Sequence, residues 1–85
     1  MPSSELIETL SELQRQLEAA PDLDSESRTL LERAVGEIND ALGQESKPPD
    51  LSKRLRSSVR SFEAEHPILT SVVNRVATML SDMGI

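Results

Sequence analysis

The sequence predicts an all-α fold, and three observations predict it. Large apolar residues recur every three or four positions in each long segment, the spacing of one face of a helix. Breakers and capping residues cluster at Pro21 to Asp24 and Gly43 to Asp50, with Gly84 near the end and Pro67 standing alone within an apolar run. No stretch alternates apolar and polar residues with the two-residue period of a strand, and no Asn-Gly or Asp-Gly pair offers a hairpin turn.

The first helix is expected over about residues 4–20. Leu6, Leu10, Leu13 and Leu17 form its stripe and Ala20 extends it. Ser3 or Ser4 is placed to cap it, and Glu5 and Glu8 suit the positive end of its dipole. "PDLD" then ends it, since Pro21 cannot continue a helix and Asp24 can cap the next one. The second helix is expected over about 25–42, with Leu31, Ala34, Val35, Ile38, Ala41 and Leu42 on one face. Gly43 is expected as its left-handed terminator. So short a link makes the two helices an antiparallel hairpin.

"GQESKPP", Gly43 to Pro49, reads as a loop, and Asp50 is positioned to cap a third helix over about 51–65. Its stripe is Leu51, Leu55, Val59 and Phe62. Beyond Pro67 the apolar positions are Leu69, Val72, Val73, Val76, Leu80 and Met83, a helical run over about 67–83 that Gly84 terminates.

Pro67 poses the main structural question. With Leu51 at zero and about 100° per residue, Phe62 falls at roughly 20°. A continuing helix would put Leu69, Val73, Val76 and Leu80 at roughly 0°, 40°, 340° and 20°. The stripe keeps its phase and Pro67 lands on the opposite side, where water can satisfy the carbonyl its ring frees. "AEHP" also has no Gly, Asn or Ser for a tight reversal. The preferred expectation is therefore a helical hairpin followed by one long helix, kinked or interrupted near Pro67. A helix from Leu51 to Met83 would be about 50 Å long against about 27 Å for each hairpin arm. The overhang would expose Val72, Val73, Val76, Leu80 and Met83 as an interaction surface, and a homodimeric bundle would cover them. The alternative is a true break at His66, which avoids helical angles before a proline, giving a monomeric four-helix bundle.

Composition narrows the function. Eighty-five residues make a single domain, and one aromatic residue, Phe62, leaves its core to Leu, Ile, Val and Met. So small a core would gain from association, which adds to the case for a dimer. The net charge of −6 disfavours a nucleic-acid binder. The absence of cysteine removes disulfides and thiolate chemistry. The opening residues lack the pattern of a signal peptide, and no apolar run reaches the roughly 20 residues of a membrane span, so a cytoplasmic protein is the default expectation. Charge is unevenly spread. Residues 1–26 carry seven acids and one base, whereas residues 47–60 carry five bases and one acid. Lys53, Arg56 and Arg60 fall on the side of the third helix away from its stripe, forming a basic strip suited to an acidic or anionic partner. Loose pairing of this strip with glutamates of the first helix, in the same chain or a partner, is the plainer expectation.

Chemistry-bearing motifs are sparse. Glu63 and His66 form E-x-x-H, which on a helix puts both on one side, as in metal-binding bundles. There is no second such pair, so these two are metal candidates only if other chains or helices add ligands. The ring of His66 otherwise packs at the bend. Serines and threonines stand in no nucleophile motif, and Gly36, Gly43 and Gly84 are too scattered to cradle a phosphate. Neither enzymatic activity nor a cofactor is expected.

Three stretches, "LIETLSELQRQLEAAPDLDSESRTLLERAV", "SFEAEHPILT" and "LSDMGI", together resemble a family of short proteins known as domain of unknown function four-four-zero-four. Its members share an F-E-x-x-H-P-x-L segment and an ending like M-G-I, matched here by Phe62, Glu63, His66, Pro67 and Leu69, then Met83, Gly84 and Ile85. The resemblance implies a bacterial, cytoplasmic, all-helical protein and supplies no activity. The expected function is a non-enzymatic interaction or regulatory module working through a dimer surface. The alternatives are a metal-binding bundle built on Glu63 and His66, and a weak anion or nucleic-acid binder built on the basic strip.

Overall fold

The computed structural model describes residues 2–43 and 50–84, and the described residues form four helices and no strands. Residues 44–49, the body of the predicted loop, and Ile85 lie outside them. Helix α1 spans Pro2–Glu18, α2 Ser25–Gly43, α3 Leu51–Ser58 and α4 Pro67–Asp82. A single 3₁₀ turn, Val59–Ser61, extends α3.

Helix α1 starts at Pro2, whose fixed φ suits a first helical position, so Ser3 and Ser4 lie inside the helix rather than capping it. Leu6, Leu10, Leu13 and Leu17 are all buried. The link to α2 closes on itself: the amide of Ala20 bonds the Leu17 carbonyl and that of Leu23 the Ala20 carbonyl. Asp24 caps α2 as its position predicts. Its carboxylate accepts the Ser27 amide at 2.7 Å and the Ser27 hydroxyl at 3.1 Å. These bonds, the backbone one foremost, hold the Asp24 carboxyl below its ordinary pKa. Because the folded value is the lower one, Asp24 favours the folded state above its unfolded pKa, and the effect fades as pH falls through the folded value. The stability gap between the wild type and Asp24→Ala is therefore expected to narrow in urea titrations taken from neutral pH down into the carboxylate range. A gap that stayed constant would remove the cap.

Two terminal assignments differ from expectation. Gly43 is the last residue of α2, and the left-handed glycine among the described residues is Gly84, at φ +81°. Asp50 precedes α3 but makes no side-chain cap. It takes a left-handed conformation itself, φ 57°, which aspartate tolerates better than most residues.

The preferred expectation at Pro67 is corrected: the chain reverses. Helix α3 and its 3₁₀ turn stop at Ser61, short of residue 65. The Phe62 carbonyl then accepts the amides of both Glu65 (3.1 Å) and His66 (2.9 Å), turning the backbone without any left-handed residue. His66 is extended (φ −133°, ψ 69°), as a residue before proline favours, and its carbonyl accepts the Thr70 amide to open α4. Pro67 is the first residue of α4, where its missing amide costs nothing. The longest dimension of the molecule is 35 Å, too short for the roughly 50 Å of an uninterrupted helix. Phase continuity misled because two separate amphipathic helices can share a phase by chance. Pro67→Ala is accordingly expected to destabilise by about 0.4–1 kcal/mol, through extra freedom in the unfolded chain. A thermal melt that rose instead would restore the continuous helix.

The result is an up-down-up-down bundle in which α4 packs on α1 and α3, and α2 packs on α3 and, more lightly, on α1. Side-chain contacts tie neighbouring helices together, and the second of them marks α2 and α3 as antiparallel. Glu12 of α1 lies 3.5 Å from Arg75 of α4. Ser27 at the start of α2 meets Ser61 at the end of the 3₁₀ turn, Oγ to Oγ at 2.8 Å. Val72, Val73, Val76 and Leu80 are buried among the leucines of α1 and α3, and Met83 is half-buried against them. The expected overhang, and the dimer surface it would form, is replaced by the core of one chain. Reversal brings the α4 stripe back over the other three helices.

Candidate functional site

The residues singled out in sequence are scattered over three places. Val72, Val73, Val76, Leu80 and Met83 belong to the core, as described. Glu63 and His66 lie on the reversal rather than on one helix, so the helical spacing of E-x-x-H is not realised. Glu63 is exposed, whereas only 14% of the His66 side chain is, and its Nε2 stands 3.6 Å from Oδ2 of Asp22 in the α1–α2 link. That contact brings the two connections side by side at one end of the bundle. Among the described residues, no group of three or more His, Cys, Asp or Glu side chains is positioned around a metal.

Lys53, Arg56 and Arg60 are exposed along α3. Arg56 makes only a weak hydrogen bond, 3.4 Å, to Thr78 of α4. Within the chain, the pairing expected with glutamates of α1 does not form, because α1 and α3 occupy opposite corners of the bundle. Instead Arg54 reaches across to Glu37 of α2. Nη2 donates to Oε1 at 3.2 Å, and Nη1 stands 3.2 Å from Oε2 without hydrogen-bond geometry, so that oxygen is held by charge alone.

Beside this ion pair runs a groove of about 870 Å³ between α2 and α3. The α2 wall presents Glu26, Thr29, Leu30, Arg33, Ala34 and Glu37, one helical face about 17 Å long. The α3 wall presents Asp50, Leu51, Lys53, Arg54, Leu55, Ser57 and Ser58. The cause is local and chemical. Ala34, Ser57 and Ser58 are too small to fill the seam where the helices face each other, while Leu31 and Leu55 are committed to the core. Leu30, adjacent to Leu31, is turned about 100° from it and lies on the rim, 41% exposed.

Sequence reasoning missed Leu30, although a leucine off the stripe was the available signal. It also missed Arg28. A cation near the start of α2 opposes that helix's own dipole. The structure resolves the conflict: Arg28 points back at the C-terminal end of α1, donating to the Leu17 carbonyl at 2.9 Å and to the Ala20 carbonyl. Each of those carbonyls also accepts an amide of the link, from Ala20 and Leu23 respectively, so the guanidinium adds a charged second donor to both, a bond type that contributes about 1.5–3 kcal/mol. The Ser27 hydroxyl, 34 residues from Ser61, is likewise engaged, between Asp24 and Ser61, whose own Oγ also donates to the Ser58 carbonyl at 2.9 Å.

No described helix is long and apolar enough to cross a membrane. The only aromatic side chain, Phe62, is buried, so bases would find no ring to stack on. A protein-family model described as a domain of unknown function (DUF4404) matches residues 6–85, in agreement with the resemblance carried by the bend and the terminal segment. No curated protein and no solved structure gives a significant match.

Proposed function

The chain belongs to the family described as domain of unknown function DUF4404, and from that premise we propose that it is a non-enzymatic protein-interaction module whose working surface is the α2–α3 groove. Its occupant is an amphipathic helix of another protein, about three turns long, laid along the seam. The single observation that carries this reading is the groove itself, with exposed Leu30 on its rim above buried Leu51 and Leu55. Walls made of two antiparallel helices admit a third helix lying between them. The α2 positions that face the groove recur at helical spacing over the whole of its length, so a ligand of the same periodicity meets them in register.

Other features support a binding rather than a catalytic role. The buried Ser27 hydroxyl is spent on structure, and His66 faces a carboxylate rather than a nucleophile. A dimer surface is not part of the reading, since the residues expected to form one are core.

The test is selection of helical peptides of about 14 residues from a displayed library against the full chain. Enriched peptides are expected to lose at least roughly tenfold in affinity against Ser57→Trp, which fills the groove from an exposed position on α3, and to weaken against Leu30→Gln. A selection that enriched nothing, or peptides indifferent to Ser57→Trp, would remove the groove as the working surface. Circular dichroism of both variants verifies that the bundle is intact.

A further inference from the structure

We infer that the groove-facing side of α2 also pairs with itself: two copies of the chain associate about a two-fold axis, α2 antiparallel to α2, with Glu26 of each opposite Arg33 of the other. The inference rests on the groove reading for its location and goes beyond it. A groove closed by a second copy must be vacated before its helical ligand enters. The surface is also distinct from the α4 stripe, which is core. A face that meets its own copy obeys two conditions, because every contact in such an interface occurs twice. It carries no surplus charge, and half a turn brings its opposite charges together. The first condition is met in a chain whose net charge is −6. The charged residues lining the groove balance, Glu26, Glu37 and Asp50 against Arg33, Lys53 and Arg54.

The second condition is met by spacing. Glu26 and Arg33 are seven residues apart, so they lie within about 20° on the helix and about 10 Å apart along it. Midway between them stand Thr29 and Leu30, both exposed. With the two-fold axis between residues 29 and 30, Glu26 falls opposite Arg33, Arg33 opposite Glu26, and Leu30 beside Thr29 and Leu30 of the other copy. A parallel pairing in the same register would instead set Glu26 against Glu26. Among the described residues neither Glu26 nor Arg33 has an ion-pair partner, so the fold leaves both for this contact. Glu37, the next charge along this side, is already paired with Arg54. Space is provided too: Ala34, one turn beyond Leu30, and Ser57 and Ser58 across the seam are small, which lets a second helix approach to ordinary packing distance. The two leucines supply the apolar centre. The exposed ion pairs add little affinity and act by fixing register, since wrong registers set like charges together.

Light scattering on a sizing column, with the full chain at about 10 μM to 1 mM, tests this. The molar mass is expected to climb from that of one chain toward twice it. Glu26→Arg and Arg33→Glu each set like charges together at both contacts, and each should weaken association at least roughly tenfold. Mixing the two variants restores both opposite pairs, as does combining them in one chain as Glu26→Arg/Arg33→Glu, and either should restore the dimer. Damage to the fold at these exposed positions would give no such rescue. Ile7→Gln/Ile68→Gln, at exposed apolar residues of α1 and α4 outside the groove, should leave the mass unchanged. A monomer across the whole range would overturn the inference, as would a dimer indifferent to the charge changes or lost in Ile7→Gln/Ile68→Gln. Peptides selected for the groove are expected to split the dimer. Peptides whose binding is lost in Ser57→Trp, yet which bind while the mass stays that of a dimer, would overturn the inference and leave the groove reading in place. That reading is decided separately, because peptide selection needs only one chain.

Discussion

Val76→Asp is expected to leave the chain unfolded. Val76 is fully buried in the middle of α4, enclosed by the stripes of the other helices. An ionised carboxylate placed there has no partner, and the penalty runs to several kcal/mol even after the group shifts to its neutral form. A domain of this size has roughly 4–13 kcal/mol of stability to lose. Far-ultraviolet circular dichroism should show helix content collapsing at 25 °C, while Val76→Ala, which only opens a small cavity, should remain folded with a loss of about 2 kcal/mol. The pair of variants separates the core role of α4 from the alternative in which it overhangs and pairs with a second chain. On that alternative the aspartate would sit at a dissociated surface and give a folded monomer by light scattering. A folded, monomeric Val76→Asp protein would therefore overturn the bundle described above.

Phe62→Ala should cost about 3–5 kcal/mol, the range for deleting a buried ring. Phe62 is 3% exposed and is the sole aromatic residue of the chain. Its ring fills the core where the 3₁₀ turn ends, and its carbonyl takes both amides that turn the chain toward α4. The side chain thereby anchors the residue on which the reversal pivots. Phe62→Leu retains apolar volume at the same place and should cost less than about 1.5 kcal/mol. Urea midpoints of the two variants give the comparison. A loss below about 1 kcal/mol for the alanine variant would mean that the bend holds without the ring, and that the backbone bonds alone position α4.

Much of the fold was legible in the sequence because its causes are local. The stripe Leu6, Leu10, Leu13 and Leu17 needs no partner to be recognised as a helix face. Asp24 stands three residues before Ser27, close enough for capping to be read from spacing. Gly84 ends the last helix through a property of glycine itself. The candidate site was much less legible. The basic residues of α3 could be counted, but that Lys53 and Arg54 alone would line a groove depends on how α2 and α3 face each other across a seam that includes Ala34, Ser57 and Ser58. Small side chains leave no mark in a hydrophobic pattern, and only the helix opposite determines whether they pack or leave space.

By itself, then, the sequence determined an all-α chain, the extent of the apolar stripes, the cap at Asp24 and the concentration of positive charge between residues 51 and 61. Tertiary structure alone decided the reversal at Phe62 to Pro67, the burial of Val72, Val73, Val76 and Leu80 within one chain, and the pairing of Arg54 with Glu37. The physical reason is one of range. Helical periodicity and capping arise from contacts between residues three or four apart, and a proline after histidine is compatible with either a kink or a turn. Which of the two occurs depends on the free energy of laying α4 back against α1 and α3, a burial summed over residues as far apart as Leu6 and Leu80.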